Sequence, residues 1–356
     1  MLSDNSDGER AVAERAPTVH WSGRGLDILD QTALPHAEVV LHCDTVADVV
    51  DAIRRLSVRG APAIGVAGAY GVALAASLHD PATDREGFDA AVASLRDARP
   101  TAVNLRRMVE RVASKAGDGV TAVLAEAHAI RDEELGASIS MGERGADLLL
   151  ELVGLRPLKV MTICNTGGLA AVDRGTALAV IQTLHERSLL VEALPLETRP
   201  LLQGARLTTW ELSRMGAPHR LVVDSAAAFL LSRGAADAIV VGADRIAANG
   251  DTANKIGTFA LALAARQAGV PFVVVAPEST VDIDTPSGDV IVIEDRGSDE
   301  VCSFAGVRVC PPGTLAINPA FDVTPVAFID ALVTERRVVH FRLGDTLESV
   351  TAGQNV

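Results

Sequence analysis

Aromatic residues and positive charge are both scarce in this sequence. Aromatic side chains make up 3% of the 356 residues and apolar residues 48%, so Ala, Val, Leu and Ile must build the core, a mixture that favours α/β packing. The formal net charge of −14 argues against nucleic acid or an anionic membrane surface as a partner. If the substrate is an anion, a few local Arg and Lys side chains must overcome the general negative field.

Cysteine is also rare, and its four copies form no motif. The sequence has no Cys-x-x-Cys pair and no His cluster beside a cysteine, which excludes a zinc site of the usual spacing and a disulfide framework. Scattered free thiols are typical of a reducing compartment, and we expect a cytoplasmic protein. The cysteines are Cys43, Cys164, Cys302 and Cys310.

Signals for targeting, membrane insertion and nucleotide binding are missing as well. Residues 1–17 are polar and acidic, without the apolar core of a signal peptide, and we expect a disordered tail. The uncharged run 61–78 just reaches membrane-helix length, but its Gly, Ala and Pro62 predict a buried, closely packed helix instead. The turn at Gly167-Gly168 is neither a Walker loop nor Gly-x-Gly-x-x-Gly, so a nucleotide is not indicated.

The pattern of the sequence changes near residue 154. Residues 18–154 carry two short strand-like runs followed by helical patterns, which predicts a smaller, mostly helical N-terminal domain with a short strand element. The loop 154–157 marks the boundary. Over residues 155–350, short apolar runs alternate with helical segments, which predicts a catalytic α/β domain with a parallel sheet and right-handed crossovers.

Active sites in parallel α/β sheets gather at the carboxyl ends of the strands, so the residues after each predicted strand are candidates. The predicted strands are 19–21 and 38–42 in the first domain, and 159–164, 189–193, 221–223, 238–241 and 272–276 in the second. The predicted helices of the second domain are 176–186, 203–215, 226–232 and one that begins at Asn254.

The stretch 238–258 carries the strongest candidate residues. A buried apolar strand ends in Gly242-Ala243, and the carboxylate of Asp244 follows directly, a common catalytic placement. Lys255 stands at the predicted helix start, where the helix N-terminus and the ammonium together favour an anionic group such as phosphate. The alternative is that Asp244 pairs with Arg245 or Lys255 and only fixes the loop.

Two further segments have both a functional and a structural interpretation. Cys164 follows the first strand of the sheet and precedes a polar glycine loop, a setting that can perturb a thiol, although a lone buried cysteine is usually inert. Arg59 and Gly60 precede Pro62 at a helix start, which places backbone N–H groups beside a positive charge and makes a plausible anion cradle. The alternative for this segment is a simple turn between helices.

At these residues the sequence resembles the methylthioribose-1-phosphate isomerases, which are related to the regulatory subunits of the guanine-exchange complex for eukaryotic translation initiation factor 2. The resemblance covers roughly residues 18–345 and rests on several uninterrupted runs in the right order. These runs are 59–65 (Arg-Gly-Ala-Pro-Ala-Ile-Gly), 99–105 (Arg-Pro-Thr-Ala-Val-Asn-Leu), 197–208 (beginning Glu-Thr-Arg-Pro), 242–257, and 284–288 together with 318–325.

The resemblance implies an aldose–ketose isomerase that converts 5-methylthioribose 1-phosphate into 5-methylthioribulose 1-phosphate in methionine salvage. It also implies no metal and no organic cofactor, a homodimer, and a Rossmann-like C-terminal domain. Cys164 and Asp244 match the family's catalytic pair. Our hypothesis is that Asp244 is an acid whose pKa an apolar site raises, and that Cys164 relays a proton between C2 and C1. A direct hydride shift is the competing route. The substrate-contact positions of the family correspond to Arg59, Gly60, Ala61, Arg99, Gln203, Asn254 and Lys255.

The sequence departs from the family pattern near the site, which leaves the group at C5 of the sugar open. Ile163 replaces a usual His, Thr166-Gly167 a usual Ala-Gly, Leu196 a usual Asp, and Ser225 a common Asn. These changes make the site more apolar. A methylthio group is the default, and a 5-deoxy or 5-halo sugar is the alternative.

Two other functional classes stay open besides the isomerase. The second class is a non-catalytic regulatory subunit that binds a sugar phosphate. The third is a dinucleotide-dependent oxidoreductase, although the Gly-x-Gly-x-x-Gly motif of that class is missing from this sequence.

Overall fold

The computed structural model describes residues 18–99, 102–304 and 306–350, so the predicted tail 1–17 lies outside the described residues. The described chain opens with an antiparallel sheet of β1 (Val19–Trp21), β2 (Leu26–Leu29) and β3 (Val40–Cys43). The predicted strands at 19–21 and 38–42 correspond to β1 and β3, so both predictions are confirmed. The central strand β2 was not predicted, because four residues with one charge give too short a pattern.

Five helices follow, and the second of them is the core helix of this region. Gly65 and Gly68 let α2 approach its neighbour α4 closely, since a Cβ on either would lie within 2.4 Å of the side chains of Met108 or Leu105. By length and composition α2 could span a membrane, but 78% of it is buried inside the protein, as predicted. The helices are α1 (Val46–Arg54), α2 (Ala61–Leu78), α3 (Arg85–Arg96), α4 (Val103–Ala113) and α5 (Val120–Val153).

The long helix α5 contributes to two hydrophobic cores. Its first half, through Val123 and Ile130, packs into the core around α2. Its second half, through Met141 and Leu149, packs beneath the large sheet. The helix ends at Gly154, whose φ of 100° requires glycine, and the domain boundary at this residue stays a prediction.

The large sheet has six strands in the order β5-β4-β6-β9-β14-β15, and only the edge strand β15 runs antiparallel. The predicted parallel sheet with helices is therefore confirmed. Because the first strand, β4, lies between β5 and β6, the chain reverses its direction of winding at the β4–β6 pair. The strands are β4 (Leu158–Thr162), β5 (Leu190–Pro195), β6 (Ala238–Val241), β9 (Phe272–Val275), β14 (Ala331–Val333) and β15 (Val338–Val339).

Helices cover both faces of this sheet, so its strands are buried on both sides and read as continuous apolar runs. The second half of α5 and α6 pack on the face that carries Val160 and Val240, and α8 and α9 on the face that carries Met161 and Ile239. The helices are α6 (Ala177–Glu186), α7 (Thr209–Arg214, continuing a π-helical turn at Gly204–Thr208), α8 (Ala227–Ser232), α9 (Thr258–Ala268) and the short α10 (Asp299–Cys302).

The prediction that a helix begins at Asn254 is wrong. Asn254 and Lys255 lie on a strand of a second, four-stranded sheet, and α9 begins only at Thr258. The partner strand of Lys255 carries Phe321, more than sixty residues away, so no local pattern could reveal the pairing. The strands of this sheet are β7 (Arg245–Ala247), β8 (Thr252–Lys255), β10 (Val281–Asp282) and β13 (Phe321–Thr324), and a separate hairpin consists of β11 (Ser303–Phe304) and β12 (Val307–Arg308).

The prediction of a strand at 221–223 is also wrong, because these residues do not form a regular strand. The segment follows the edge of β5 but pairs with it only at two isolated bridges, through His219 and Val222. It then turns at Asp224, whose carboxylate accepts hydrogen bonds from the backbone N–H groups of Thr198 and Arg199 at 2.8 and 2.7 Å. This turn holds the loop after β5 in place, so the segment shapes the site rather than the sheet.

Candidate active site

Cys164 and Asp244 lie together at the carboxyl ends of two neighbouring strands. Cys164 follows β4 and Asp244 follows β6, and these two parallel strands are adjacent in the sheet. This pair of strands is also the place where the direction of winding reverses, which is where doubly wound sheets bind their ligands. The topology therefore brings the thiol and the carboxyl to one site without any sequence motif that contains both.

The backbone of Cys164 is fixed on both sides in a strained conformation. Its φ is 66°, in the left-handed region that a residue with a side chain rarely adopts. Its N–H donates to Thr198 Oγ1 at 2.8 Å, and its carbonyl accepts from Thr208 Oγ1 at 2.7 Å. Burial raises the pKa of the thiol, although Arg59 and Lys255 oppose the shift. The side chain is therefore a neutral thiol at pH 7.

The carboxyl of Asp244 faces open space and has no fixed partner. Its carboxylate makes no hydrogen bond or ion pair within the described part of the chain, and Arg245, one predicted alternative partner, pairs with Asp282 at 3.5 Å instead. Protein still surrounds the carboxyl closely enough that desolvation raises its pKa to about 6, against the influence of Lys255, Arg59 and Arg99. A carboxyl with this pKa can give and take a proton near neutral pH.

Cationic side chains line the same site. Lys255 is only 5% exposed, and burial lowers its pKa. Burial likewise lowers the pKa of Arg99, with Glu294 and Asp244 acting in the opposite sense. Arg59 donates from Nη2 to Asn165 Oδ1 at 2.6 Å, while its buried Nε has no partner among the described residues. A buried ammonium and half-buried guanidinium groups with free donors are suited to bind an anion such as phosphate.

The start of α2 adds backbone donors beside Arg59. Gly60 has a φ of 90°, and a Cβ there would lie 2.2 Å from the carbonyl oxygen of Ala170, so only glycine fits. The N–H groups of Gly60 and Ala61 have no backbone acceptor within the ranges that the structure covers, whereas that of Ala63 bonds to Ala170 at 3.2 Å. The segment is the turn between two helices that one interpretation predicted, and it also has the donors that an anion cradle requires.

Gln203 and Asn254 complete the predicted set. Gln203 precedes the π-helical turn, and its buried Oε1 lacks a partner within the described ranges. Asn254, on β8, is buried and donates from Nδ2 to Thr258 Oγ1 at 3.0 Å. Pro100 and Thr101, part of the second family run, lie outside the described residues.

Four further polar residues support the site. Thr198 and Thr208 bind the backbone of Cys164, and Asn165 joins Arg59 to the buried carboxylate of Glu211. Asn165 and Thr198 lie in the loops after the first two predicted strands of the sheet, where candidates were expected, whereas Thr208 and Glu211 were not predicted as site residues. Glu211 stands in an ordinary helical pattern, and no local signal indicates that its side chain turns inward.

The described residues contain no group of three or more His, Cys, Asp or Glu side chains that could hold a metal ion. The polar groups around Cys164 and Asp244 are instead donors and cations. This composition suits an anionic, hydroxyl-bearing ligand.

Comparison with known proteins places this architecture in a family. A model of the initiation factor 2 subunit family matches residues 57–340. A protein of Alkalilimnicola ehrlichii named methylthioribose-1-phosphate isomerase is 51% identical over 90% of this chain and 93% of its own length. A protein of Moorella thermoacetica named 5-deoxyribose 1-phosphate isomerase is 45% identical over 95% of this chain and 98% of its own.

One similar protein is longer. The Nocardia farcinica protein named probable bifunctional methylthioribose-1-phosphate isomerase/methylthioribulose-1-phosphate dehydratase is 50% identical over 90% of this chain, and the chain spans 58% of that protein.

Two solved structures share the fold over nearly the whole chain. The 5-methylthioribose 1-phosphate isomerase of Pyrococcus horikoshii is 39% identical, with a TM-score of 0.86 over 92% of this chain and 94% of that one. The translation initiation factor eIF-2B subunit delta of A. fulgidus is 38% identical, with a TM-score of 0.83 over 91% and 96%.

Proposed function

Because the chain belongs to the initiation factor 2 subunit family, we infer from its site that it is an aldose–ketose isomerase that converts 5-methylthioribose 1-phosphate into 5-methylthioribulose 1-phosphate. The observation that carries this inference is the placement of a neutral thiol and a carboxyl of raised pKa at the reversal point of the sheet, beside the buried Lys255 and the half-buried Arg59. The resemblance noted in the sequence is confirmed by the comparisons.

The substrate explains why such a site is needed. In a sugar 1-phosphate the anomeric oxygen carries the phosphate, so the ring cannot open spontaneously to a free aldehyde. The enzyme must protonate the ring oxygen while the bond between that oxygen and C1 breaks. It must then move a hydrogen from C2 to C1, and the hydroxyl on C2 must lose its proton to become the ketone.

We assign the first step to Asp244. Its pKa of about 6 leaves about one tenth of the molecules with a protonated Asp244 at pH 7, and a larger fraction below that pH. Lys255 and Arg59 lower this pKa in the free enzyme, and a bound phosphate would offset their charge, which raises the pKa of Asp244 further when the substrate arrives. After the proton passes to the ring oxygen, the Asp244 carboxylate can accept the proton that leaves the C2 hydroxyl, which restores the enzyme.

We assign Cys164 to the hydrogen transfer. The neutral thiol is a poor base for the proton on C2, and this supports a direct hydride shift from C2 to the electron-poor C1 over a proton relay. In the hydride route Cys164 lies beside the migrating hydrogen and keeps water away from C1. The proton relay, which was the route expected from the sequence, then becomes the competing route, and a single turnover in heavy water separates the two.

We assign the phosphate to Arg59, Gly60 and Ala61 at the start of α2, with Lys255 across the site. This assignment rests on the unpartnered Arg59 Nε and on the free N–H groups of the helix start. The sugar hydroxyls and ring would then lie towards Gln203, Asn254 and Arg99. The unpartnered buried oxygen of Gln203 suits a hydroxyl donor.

The names of similar proteins favour a methylthio group at C5 over a hydrogen, as in the 5-deoxy sugar, or a halogen. Ile163 and Leu196, which replace polar residues of the family, are 1 and 2% exposed and belong to the hydrophobic core under α8 and α9, so they do not choose between these groups. The similar proteins from Alkalilimnicola and Nocardia carry methylthioribose in their names, whereas the Moorella protein carries 5-deoxyribose. Values of kcat/KM for the methylthio, 5-deoxy and 5-chloro sugars would rank the substrates, and we expect differences of about 10- to 200-fold.

Proton NMR of the purified protein with 5-methylthioribose 1-phosphate tests the activity. We expect loss of the anomeric signal and growth of the two C1 protons of the ketose. Saturable binding with an anomeric signal that never decays would instead support the non-catalytic, regulatory class to which the A. fulgidus structure points.

We also propose a homodimer, a cytoplasmic location and the two-domain division near residue 154. Several apolar side chains between β10 and β13 are largely exposed, including Val292, Leu315 and Ile317 at 92, 89 and 88%. A second copy of the chain would cover them. The four unpaired cysteines fit a reducing compartment.

A further inference from the structure

The carboxylate of Glu211 lies directly beneath the turn that carries Cys164. It belongs to α7 and is 8% exposed. Its Oε1 accepts a hydrogen bond from Asn165 Nδ2 at 2.6 Å, and its Oε2 faces the N–H of Leu169 at 3.4 Å. A Cβ on Gly167 would lie 2.4 Å from Oε2, so a residue with a side chain at position 167 would clash with the carboxylate. Both carboxylate oxygens are therefore engaged with the turn.

Asn165 connects this carboxylate to Arg59. Its Nδ2 faces Glu211, and its Oδ1 accepts from Arg59 Nη2 at 2.6 Å. An amide has a donor end and an acceptor end, so a carboxylate on one side dictates that the oxygen points to the other. Because Asn165 is buried, water cannot substitute for either partner. The chain Glu211–Asn165–Arg59 therefore has only one hydrogen-bonded arrangement.

We propose that Glu211 is a positioning residue that acts through Asn165 to hold the Arg59 guanidinium in the orientation that receives the substrate phosphate. This proposal rests on the proposed function for the identity of the anion. With Nη2 tied to Asn165, the buried Nε of Arg59 keeps a fixed direction and is left without a protein partner in the described ranges. A guanidinium fixed in this way loses less freedom when the anion binds.

A purely structural role explains Glu211 less well. Burial raises its pKa to about 7, against hydrogen bonds from Asn165, Leu169 and Gly168, so ionising Glu211 costs free energy in the folded protein. An apolar side chain of similar size would avoid that cost. The orientation of Asn165 is what an apolar side chain could not supply.

The isosteric variant Glu211→Gln tests the proposal, because a glutamine has only one acceptor. If its oxygen faces Asn165, its NH2 opposes the N–H of Leu169. If it turns around, the amide of Asn165 must turn too and then presents its NH2 to Arg59. We expect KM for the sugar 1-phosphate to rise about 10-fold or more, with kcat changed much less, as for a lost charge-assisted hydrogen bond.

A double-mutant cycle and a matched control separate positioning from stability. In the background Arg59→Met, Glu211→Gln should add no further rise in KM, since the group it positions is gone. Glu192→Gln, at a partly buried carboxylate on β5 that pairs with Arg220, should leave KM unchanged. A fall in kcat with unchanged KM, or an equal effect of Glu211→Gln in both backgrounds, would overturn the proposal.

Binding of inorganic phosphate distinguishes this proposal from the proposed function. If calorimetry shows that the wild-type protein binds phosphate but the protein does not turn over the sugar, the isomerase assignment is wrong. The positioning role of Glu211 can still be tested in that case. Glu211→Gln should then weaken phosphate binding about 10-fold and shift the NMR resonance of Arg59 Nε. Equal phosphate affinity and an unmoved Arg59 resonance would overturn the positioning role.

Discussion

At the scale of single residues, the two central side chains are held in opposite ways. Cys164 is clamped through its backbone by Thr198 and Thr208, and its thiol stays neutral. The backbone N–H of Asp244 bonds to Ala253 at 2.9 Å, while its carboxyl has no bonded partner among the described residues and can therefore exchange protons. The difference fits a thiol that must keep its position and a carboxyl that must change its charge.

The first prediction concerns pH. Because desolvation by the surrounding protein raises the pKa of Asp244 from 3.8 to about 6 and the acid form starts the reaction, kcat/KM should fall as the pH rises above about 6, tenfold per pH unit at the limit. A pH profile of kcat/KM measures this limb. The limb should be absent from the residual activity of Asp244→Asn and present in Asp282→Asn, a surface carboxylate on β10. A wild-type profile flat from pH 5 to 9 would rule out Asp244 as the acid.

The second prediction concerns the hydrogen that moves from C2 to C1. With a neutral Cys164 thiol, a single turnover in heavy water should place no solvent deuterium at C1 of the product. Cys164→Ser should lower kcat by about 100-fold or more and change KM much less, as expected when a group acts in the transition state. Full deuterium incorporation at C1 would establish the proton relay instead.

At the scale of elements, the site depends on a small sheet that the sequence pattern could not show. Lys255 was expected at a helix N-terminus, yet β8 carries it, and β13 fixes β8 from more than sixty residues away. The helix α9 is capped by the remote Asp322, whose carboxylate accepts from the N–H groups of Gly257 and Phe259 at 2.8 and 3.1 Å. The local sequence pattern around α9 cannot predict a capping residue that is so far away in the chain.

The third prediction tests this remote cap. Asp322→Ala should destabilise the protein by about 1 kcal/mol, as the loss of a helix cap does, and should also lower kcat/KM because α9 begins only three residues after Lys255. Asp84→Ala removes the N-cap of α3, which accepts from Gly87 at 3.0 Å, and provides the control. Thermal unfolding should show similar losses for both variants, with activity lowered only in Asp322→Ala. Equal activities in the two variants would show that the cap does not support the site.

At the scale of the whole molecule, the sheet could be predicted further than the site. Alternating apolar runs and helical patterns give β4, β5, β6 and β9 close to their observed positions, because each strand is buried on both faces and has a local signature. The order of strands cannot be read in this way, although it is what brings Cys164 to Asp244. The family resemblance named both residues, and the topology supplies the physical reason that they meet.

The fourth prediction concerns assembly. If a second copy covers the exposed apolar side chains before β13, Val292→Asp and Ile317→Asp should each shift the protein from dimer to monomer in light scattering. Leu155→Asp, at an exposed residue of the loop before β4, is the matched control and should leave the dimer intact. A wild-type protein that stays monomeric at micromolar concentration would contradict the dimer.

The most direct measurement is an NMR time course of 5-methylthioribose 1-phosphate with the wild-type protein, Asp244→Asn and Cys164→Ser, each at saturating substrate. The wild-type protein should convert the sugar to the ketose until the two reach equilibrium. Both variants should bind the sugar and convert it at least about 100-fold more slowly. Conversion by either variant at the wild-type rate would show that the thiol and the carboxyl at the reversal of the sheet do not carry the reaction.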